Sequence, residues 1–316
     1  MVAIPVAALL PGGTLRASLY LDGGDGNPPI LYCERDHPIT GNVAERLLSR
    51  EIRTLYIPKV EYPYYQQYLR ENLEAFLDDD RHSPSRRLQF LVEAARDVFF
   101  EALTKGDTDR VVREASRFGA RLVGLSGDCD LTAYDAFELL RHDDTAVTHA
   151  TNVAVYGVLL AERLGIRRAP ALEEIAVGSL LHDIGKRVIS PAVLSKTGPL
   201  THDDRRIVKR HPQVGFEDLC RRDDLTWGQL MMVYQHHERM DGRGYPMQLD
   251  KDEIHAMARI CSVADVFDAL SSERPFRRAL PLSEALGFLT RQAGRGLDKE
   301  MVQCWRAAMT PRGCDR

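Results

Sequence analysis

The sequence of 316 residues lacks the features that mark secreted and membrane-spanning proteins. None of its six cysteines forms a CxxC pair, and their wide scatter is typical of reduced thiols rather than of a disulfide framework. No hydrophobic run approaches the length that crosses a membrane, and the apolar stretch at residues 1–10 has no basic segment before it. We therefore expect a cytoplasmic protein.

An excess of charge of one sign is also missing. The chain has 42 Lys and Arg against 46 Asp and Glu, which gives a formal net charge of −4. So small a charge does not indicate DNA, RNA or a membrane surface as a partner. Binding of an anionic substrate must therefore depend on local basic residues or on metal ions.

The pattern along the chain predicts a mainly α protein with two unlike parts. Weak alternation and clustered turn residues in residues 1–60 predict a small α+β module, whose role stays open. Residues 61–130 carry two helical patterns and form a helical connector. Residues 131–316 show helix after helix with short breaks, which predicts an all-α domain. A homodimer contact or a signalling partner bound through residues 1–60 also stays open.

Residues 180–186, Leu-Leu-His-Asp-Ile-Gly-Lys, bring an imidazole, a carboxylate and an ammonium together directly after an apolar helical run. Adjacent helical residues point about 100° apart, so His182 and Asp183 flank a space at a helix end instead of pointing to one spot. A carboxylate has two oxygens and can bridge two metal ions. A surface His-Asp pair is the alternative, but the apolar run favours a buried pair, and a buried charge needs a partner or a metal.

Further imidazoles and carboxylates lie in or at the ends of predicted helices of the same domain. The candidate metal ligands are His149, His182, Asp183, His211, His236, His237 and Asp265. A single histidine on an apolar helix is more often a hydrogen-bonded core residue than a ligand, but the whole set in one domain favours a metal site. These groups suit two borderline or hard divalent ions, with Mn²⁺ or Fe²⁺ as candidates. No cysteine lies beside them, which argues against a thiolate zinc site.

Ordered motifs connect these residues. They are His182-Asp183-Ile184-Gly185-Lys186, His211-Pro212-x-x-Gly215, His236-His237-Glu238-x-x-Asp241-Gly242-x-Gly244-Tyr245-Pro246, the stretch at 258–270 with Asp265 and Asp268, and Arg274-Pro275-Phe276-Arg277. Together they resemble the HD-GYP subgroup of the HD phosphohydrolases, over roughly residues 135–312. Because the motifs are long and occur in order, the resemblance is highly specific.

The resemblance implies a helical, metal-dependent phosphodiesterase that hydrolyses cyclic di-GMP to pGpG and often to GMP. It implies that the seven candidate ligands hold two divalent ions per chain, with Asp183 bridging them. The implied substrate contacts are Lys186, Gly244, Tyr245, Asp268, Arg274 and Arg277. A water between two such ions is deprotonated near neutral pH and attacks phosphorus in line with the leaving oxygen.

Other residues have expected roles in this chemistry. Lys186 and the arginines would offset charge on the phosphate. Asp268 would orient the nucleophile or accept its proton. Asp183, Lys186 and Asp268 are thus the expected catalytic residues.

Two other functions stay open. A non-catalytic cyclic di-GMP sensor would bind without cleaving, but such relatives usually lose ligands, and every motif ligand is present here. The second is an HD phosphohydrolase acting on another cyclic dinucleotide or on a nucleotide. The intact Gly-Tyr-Pro loop argues against a triphosphate substrate.

The number of metal ions is a separate expectation. Some members of the resembled family carry a glutamate one turn before the position of His149, and it helps to hold a third ion. Thr145 stands there in this chain. A neutral hydroxyl is a weak ligand for such cations, so we expect two ions rather than three. Asp143 and Asp144 lie nearby, but a regular helix would turn both away from His149.

Overall fold

The computed structural model describes residues 1–10, 12–24, 27–39, 43–127, 131–140, 145–273 and 277–310. The chain divides into two compact units, Met1–Asp97 and Val98–Arg316. The division falls inside the segment that the sequence analysis assigns to a connector. The three domains expected from the sequence stay a prediction, and the two units are described one at a time.

The first unit contains a four-stranded antiparallel sheet with the strand order β1-β4-β2-β3. Its strands are β1 (Val2–Pro5), β2 (Leu19–Leu21), β3 (Ile30–Cys33) and β4 (Thr54–Ile57). Strands β2, β3 and β4 occur where the sequence indicates them. Strand β1 was not predicted, because its four residues show no polar–apolar alternation, and it forms only by pairing with β4.

Helices α1 (Val43–Leu48) and α2 (Tyr62–Leu77) complete this unit, together with the first turns of α3 (Pro84–Lys105). Helix α2 buries Tyr65 and Tyr68, and the Leu10 N–H donates a 2.7 Å hydrogen bond to the Tyr68 hydroxyl. Tyr65 and Tyr68 are therefore packing residues of this unit.

The described elements of the second unit are almost entirely helical. After the remainder of α3 they are α4 (Thr108–Gly127), α5 (Ala133–Leu139), α6 (Ala146–Arg163), α7 (Ala169–Leu181), α8 (Pro191–Leu194), α9 (His202–Val208), α10 (His211–Leu219), α11 (Trp227–Gln235), α12 (Ala256–Ser271), α13 (Leu282–Gln292) and α14 (Lys299–Ala308). A short 3₁₀ helix, Ile184–Val188, follows α7. The predicted fold class, mainly α with a small α+β part at the start, is confirmed. In the described part of the chain, no helix combines the length and apolar character needed to cross a membrane.

Helix α6 forms the centre of the second unit and packs against α7 and α12. It is buried along most of its length because its neighbours cover it on several faces. Tyr156 of α6, Phe267 of α12 and Trp305 of α14 form an edge-to-face aromatic cluster with ring centroids 5.2–5.4 Å apart. This cluster fixes α12 against α6, and both helices carry candidate ligands.

One predicted helix proves to be two. The sequence predicts a helix from Thr201 that ends at His211 before Pro212, but α9 ends at Val208 and His211 begins α10. Proline is tolerated in the first turn of a helix, where its missing N–H has no intrahelical acceptor to bond. Pro212 therefore lies within the first turn of α10 instead of terminating the preceding helix.

The two tryptophans provide a matched test of the core. Trp305 is 0% exposed, whereas Trp227 at the start of α11 is 64% exposed. We expect Trp305→Ala to lower the free energy of unfolding by about 3–5 kcal/mol, because it leaves a cavity between α6, α12 and α14. Trp227→Ala should change it by about 0.5 kcal/mol or less. Urea denaturation followed by far-UV circular dichroism measures both, and equal effects would contradict this account of the core.

Candidate metal centre

Seven imidazole and carboxylate side chains meet where the ends of several helices converge. They are His149 in α6, His182 and Asp183 at the end of α7, His211 at the start of α10, His236 and His237 after α11, and Asp265 in α12. The ligating atoms of Asp183, His211, His236 and His237 lie within 4.8 Å of one another, as do those of His149, His182 and Asp183. The side chains singled out from the sequence as metal ligands are thus brought together.

The carboxylate of Asp183 lies between two groups of these residues. Its Oδ1 is 3.1 Å from His211 Nε2 and 3.7 Å from His236 Nε2. Its Oδ2 is 3.4 Å from His182 Nε2 and 3.8 Å from His149 Nε2. Each carboxylate oxygen thus has its own pair of imidazoles, which is the arrangement that a bridging carboxylate needs.

Asp265 adds a second carboxylate beside the His149 side of the cluster. Its Oδ1 is 3.1 Å from His149 Nε2 and 3.9 Å from His182 Nε2. Its Oδ2 is 3.9 Å from His237 Nδ1. Asp265 therefore also lies close to histidines of both groups, through oxygen–nitrogen contacts separate from those of Asp183.

Backbone carbonyls fix the tautomers of three histidines. In each pair the histidine Nδ1 lies against a carbonyl oxygen one helical turn earlier: His182 with Ser179 (2.6 Å), His211 with Val208 (2.7 Å) and His236 with Val233 (3.0 Å). A carbonyl only accepts, so Nδ1 must carry the hydrogen and donate it. In the neutral ring, Nε2 then presents its lone pair to the cluster.

The contact between His211 and His236 indicates a cation site directly. Their Nε2 atoms are 3.1 Å apart, although both Nδ1 atoms are the donors to carbonyls. Two lone pairs at this distance repel each other, and a proton or a cation between or beside them relieves the repulsion. Two further buried atoms, His182 Nε2 and Asp183 Oδ1, also indicate a cation site, because neither has a hydrogen-bond partner among the described residues. The residues present therefore fit a divalent metal.

Asp268 differs from its expected role beside the substrate. Its side chain is 0% exposed. The His149 Nδ1–H donates to its Oδ2 at 2.7 Å, and Asn152 Nδ2 donates to its Oδ1 at 2.8 Å. Ser272 Oγ lies 3.2 Å from the same Oδ1. The three-residue spacing placed Asp265 and Asp268 on one face of α12, but α6 covers Asp268, which therefore orients the His149 ring rather than lining the cleft.

A backbone contact between two motifs brings Asp183 to His211. A Cβ on Gly185 would lie 2.1 Å from the His211 carbonyl oxygen and 2.7 Å from the Gly215 nitrogen. Only glycine allows the 3₁₀ helix after Asp183 to approach the first turn of α10 this closely. The glycines of the two motifs are thus required for the geometry of the cluster.

The electrostatic environment favours the metal-binding protonation state at Asp183 and His236 and opposes it at His149. Burial raises the pKa of Asp183, but the charges of Lys186 and His182 outweigh it and hold that pKa well below its usual range. Burial, with the neighbouring imidazoles, lowers the pKa of His236 to about 4. For His149, burial lowers the pKa, but hydrogen bonds to Asp265 and Asp268 raise it overall to about 9. Metal binding at His149 must therefore displace a proton.

The cluster lines part of a cavity of about 800 Å³. Five of its members, His149, Asp183, His236, His237 and Asp265, are lining residues. Apolar side chains and a group of basic residues line the remainder. The volume falls within the range of small-molecule sites, and the lining combines apolar surface with a few charged groups, as such sites do.

The expected substrate contacts have different surroundings. Lys186 lines the cavity and its Nζ is 2.5 Å from Asp183 Oδ2. Tyr245 lines it too, with its ring 4.7 Å from the His237 ring. Arg277 lines it, but its guanidinium donates to the carbonyls of Ala269 and Leu270 at the end of α12. Arg274 lies outside the described residues.

Gly244 contacts the chain's own backbone. A Cβ there would lie 2.4 Å from Glu238 Cα and 2.5 Å from Arg239 N, so this glycine lets the loop fold tightly onto the preceding helix end. The sequence analysis expected Gly244 to contact the substrate. The buried carboxylate of Glu238 accepts hydrogen bonds from the N–H groups of three consecutive residues, Met247 (2.6 Å), Gln248 (3.1 Å) and Leu249 (3.1 Å).

Glu238 was missed as a residue with a role in the site. It stands in the quoted motif next to two histidines, where a carboxylate is easily mistaken for a further ligand or a surface charge. Its carboxylate instead fixes the segment that follows Tyr245 and Pro246. No pattern in a single sequence distinguishes these roles.

Comparison with known proteins places the chain in a family. The model of the HD domain family matches residues 139–301, and the chain belongs to this family. The recognition made from the motifs is thereby confirmed. The match covers all seven candidate ligands together with Lys186 and Tyr245.

Named relatives indicate what similar proteins act on. The chain is 42% identical over 146 residues to the cyclic di-GMP phosphodiesterase response regulator RpfG of Xanthomonas campestris, covering 46% of this chain and 38% of that protein. It is 36% identical over 182 residues to the 3′3′-cGAMP-specific phosphodiesterase 3 of Vibrio cholerae, covering 58% of this chain and 39% of that protein. The chain thus spans well under half the length of these relatives.

A solved structure matches the fold over nearly the whole chain. The HDG"Y"P protein Bd1817 of Bdellovibrio bacteriovorus aligns with a TM-score of 0.67 and covers 97% of this chain and 98% of its own, at 20% identity. At that identity the likeness shows the fold alone.

The contact between Asp268 and His149 generates a prediction. In Asp268→Asn the amide can present its NH₂ to Nδ1, which favours the wrong tautomer of His149 and places the hydrogen on Nε2. We expect Mn²⁺ affinity to fall about 10–100-fold while the fold is retained. Competition with a chelator measures the affinity.

Asp298→Asn is the control for this change. Asp298 caps α14 and pairs with Arg259, so the same chemical change there should affect stability and leave metal affinity unaltered. If Asp268→Asn bound Mn²⁺ as tightly as the wild type, Asp268 would not orient a ligand.

Proposed function

We propose that this chain is a metal-dependent phosphodiesterase that hydrolyses cyclic di-GMP to pGpG, GMP or both. The observation that carries the proposal is the Asp183 carboxylate, which lines a cavity and has one oxygen against each of two imidazole pairs. Membership of the HD domain family and the names of the relatives support the same class of substrate.

The proposed metal site holds two ions of Fe or Mn. His211 and His236 lie on the Oδ1 side of Asp183, with His237 beside them, whereas His149, His182 and Asp265 lie on the Oδ2 side. Neutral imidazoles and carboxylates without thiolates suit these cations. When bound, such a pair supplies Lewis-acid activation of water and of the phosphoryl oxygens.

The chain's own residues then bind and orient the phosphodiester. Lys186 lies beside Asp183 at the cavity wall, where its ammonium offsets charge on the non-bridging oxygens of the phosphate. Burial, with the charges of Asp265 and Asp183, raises the pKa of Tyr245 well above its usual range, so its hydroxyl stays neutral and able to donate. Asp268 acts through His149 as a positioning residue, and Arg274 and Arg277 stay proposed substrate contacts.

The remaining cavity suits the bases of a dinucleotide. Val266, Leu270, Phe288 and Leu297 are apolar residues of its lining. Purine rings bury well against such surface, and an aromatic ring such as Phe288 can stack on them. A cavity of about 800 Å³ accommodates a ligand of this kind.

Cyclic GMP-AMP is the second candidate substrate. The observation that favours it is the 36% identity to the 3′3′-cGAMP-specific phosphodiesterase of Vibrio cholerae, which is comparable with the likeness to cyclic di-GMP enzymes. Incubating Mn²⁺- or Fe²⁺-loaded protein with each cyclic dinucleotide separately, and separating products over time, tests both. Bound but uncleaved nucleotide would instead identify a sensor.

Asp183→Ala is the first prediction for this function. We expect loss of hydrolysis and a fall in metal content, because one carboxylate then no longer holds both ions. Asp203→Ala is the control, since Asp203 is exposed on α9 and forms a surface ion pair with Arg206. Product analysis and elemental analysis are the measurements. Near-normal turnover with full metal loading would remove Asp183 from the site.

The second prediction is two metal ions per chain. Thr145 is the N-cap of α6, and its hydroxyl accepts the Thr148 N–H at 3.1 Å, so it already has a structural role. A third cation near two others requires an added carboxylate, and Thr145 provides none. Asp143 and Asp144, the alternatives close in sequence, lie outside the described residues.

Elemental analysis of protein reconstituted without oxygen measures this number. We expect about two Fe or Mn per chain, a value that follows from the two sides of Asp183. Thr145→Ser, which keeps the cap, should give the same value. A ratio near three that survives desalting would contradict the prediction.

A further inference from the structure

The basic residues of the cavity differ in how the protein engages them. Among the described residues, those that line it are Lys186, Lys209, Arg239, Arg243 and Arg277. Lys186 pairs with Asp183, and Arg239 pairs with Asp241 at 2.8 Å. The charge of Arg243 also acts on the Asp241 carboxylate and lowers its pKa. The Arg277 guanidinium donates hydrogen bonds to backbone carbonyls of α12.

Lys209 lacks an ion pair, as the Arg243 side chain also does among the described residues, and it differs from Arg243 in its contact with an aromatic ring. Within the described part of the chain, its ammonium makes neither an ion pair nor a side-chain hydrogen bond. Lys209 is the residue after α9 and lies two positions before the candidate ligand His211. A cavity-lining cation that no protein group neutralises is available to an anionic ligand.

The ring of Tyr245 gives the ammonium a defined position. Lys209 Nζ lies 5.2 Å from the centroid of that ring, within the range of a cation–π contact. The same ring lies 4.7 Å from the His237 ring, which belongs to the metal cluster. Lys209 is therefore next to the cluster's aromatic neighbour, and its Nζ forms no ion pair with Asp183 or Asp265, unlike Lys186.

A cyclic dinucleotide carries two phosphodiesters in one macrocycle, and only one of them can occupy the metal centre at a time. Resting on the proposed function, we propose that Lys209 binds the phosphate that is not being cleaved. Lys186 would then act on the cleaved phosphate and Lys209 on its partner. Each lysine thus binds a different one of the two phosphates of the same substrate molecule.

The experiment compares a substrate with two phosphates and a substrate with one. The variant is Lys209→Met, which keeps an apolar chain over Tyr245 and removes the charge. The substrates are cyclic di-GMP and bis(p-nitrophenyl) phosphate, each with Mn²⁺-loaded protein. We expect KM for cyclic di-GMP to rise at least about tenfold with little change in kcat, since one charge-assisted contact is lost. Both constants for the single-phosphate diester should stay as in the wild type.

Two further variants control for charge and for side-chain shape. Lys251→Met removes the same net charge at an exposed lysine that does not line the cavity, and both substrates should be hydrolysed as by the wild type. Lys209→Arg restores a cation and should recover most of the lost affinity. Added salt should raise KM for cyclic di-GMP more steeply in the wild type than in Lys209→Met, because the contact is electrostatic.

Each other outcome overturns the inference in a recognisable way. If Lys209→Met impaired both substrates equally, Lys209 would act at the metal centre. If it impaired neither, Lys209 would not contact the nucleotide. Wild-type protein that cleaved bis(p-nitrophenyl) phosphate and left cyclic dinucleotides intact would overturn the proposed function, and this inference with it.

Discussion

The candidate site depends on one carboxylate that two groups of imidazoles share. Asp183 can present one oxygen to each group only because the chain turns sharply after α7 and packs its 3₁₀ helix on the start of α10. That packing requires backbone against backbone at Gly185, where a single added carbon would lie 2.1 Å from the His211 carbonyl. The position of the Asp183 carboxylate therefore depends on Gly185. Because this glycine has no side chain, the chain can approach α10 closely enough for the carboxylate to reach both groups.

Burying so many titratable groups is unfavourable unless each has a partner. The protein satisfies the outer nitrogen of three histidines with carbonyls three residues earlier in the chain, and that of His149 with Asp268. These contacts fix which nitrogen faces inward. Inward-facing lone pairs, such as those of His211 and His236 at 3.1 Å, are destabilising without a cation and favourable with one. The repulsion between these lone pairs therefore lowers the stability of the metal-free protein. Metal binding removes that repulsion, and in this way metal binding is coupled to stability.

Sequence reasoning predicted the members of the cluster and the helical fold because motif residues occur at helix ends, where periodicity and caps are informative. It did not predict what covers each side chain. Asp268 shares a helical face with Asp265, yet α6 buries it, and this depends on packing between residues more than one hundred positions apart. Glu238 looked like part of a ligand motif and instead accepts three loop N–H groups. Strand β1 forms only through pairing, which no local pattern encodes.

The Gly-Tyr-Pro loop is held in place by contacts with the preceding part of its own chain. Gly244 has room only for hydrogen beside the Glu238 backbone, and the Glu238 carboxylate ties down the residues that follow Pro246. Tyr245 is held between these two fixed points, and its N–H donates to the His237 carbonyl. Its ring therefore has little freedom, and the ring contacts a candidate ligand, His237, and a basic residue, Lys209. The Tyr245 ring therefore places a candidate ligand and a basic residue of the cavity side by side before any substrate binds.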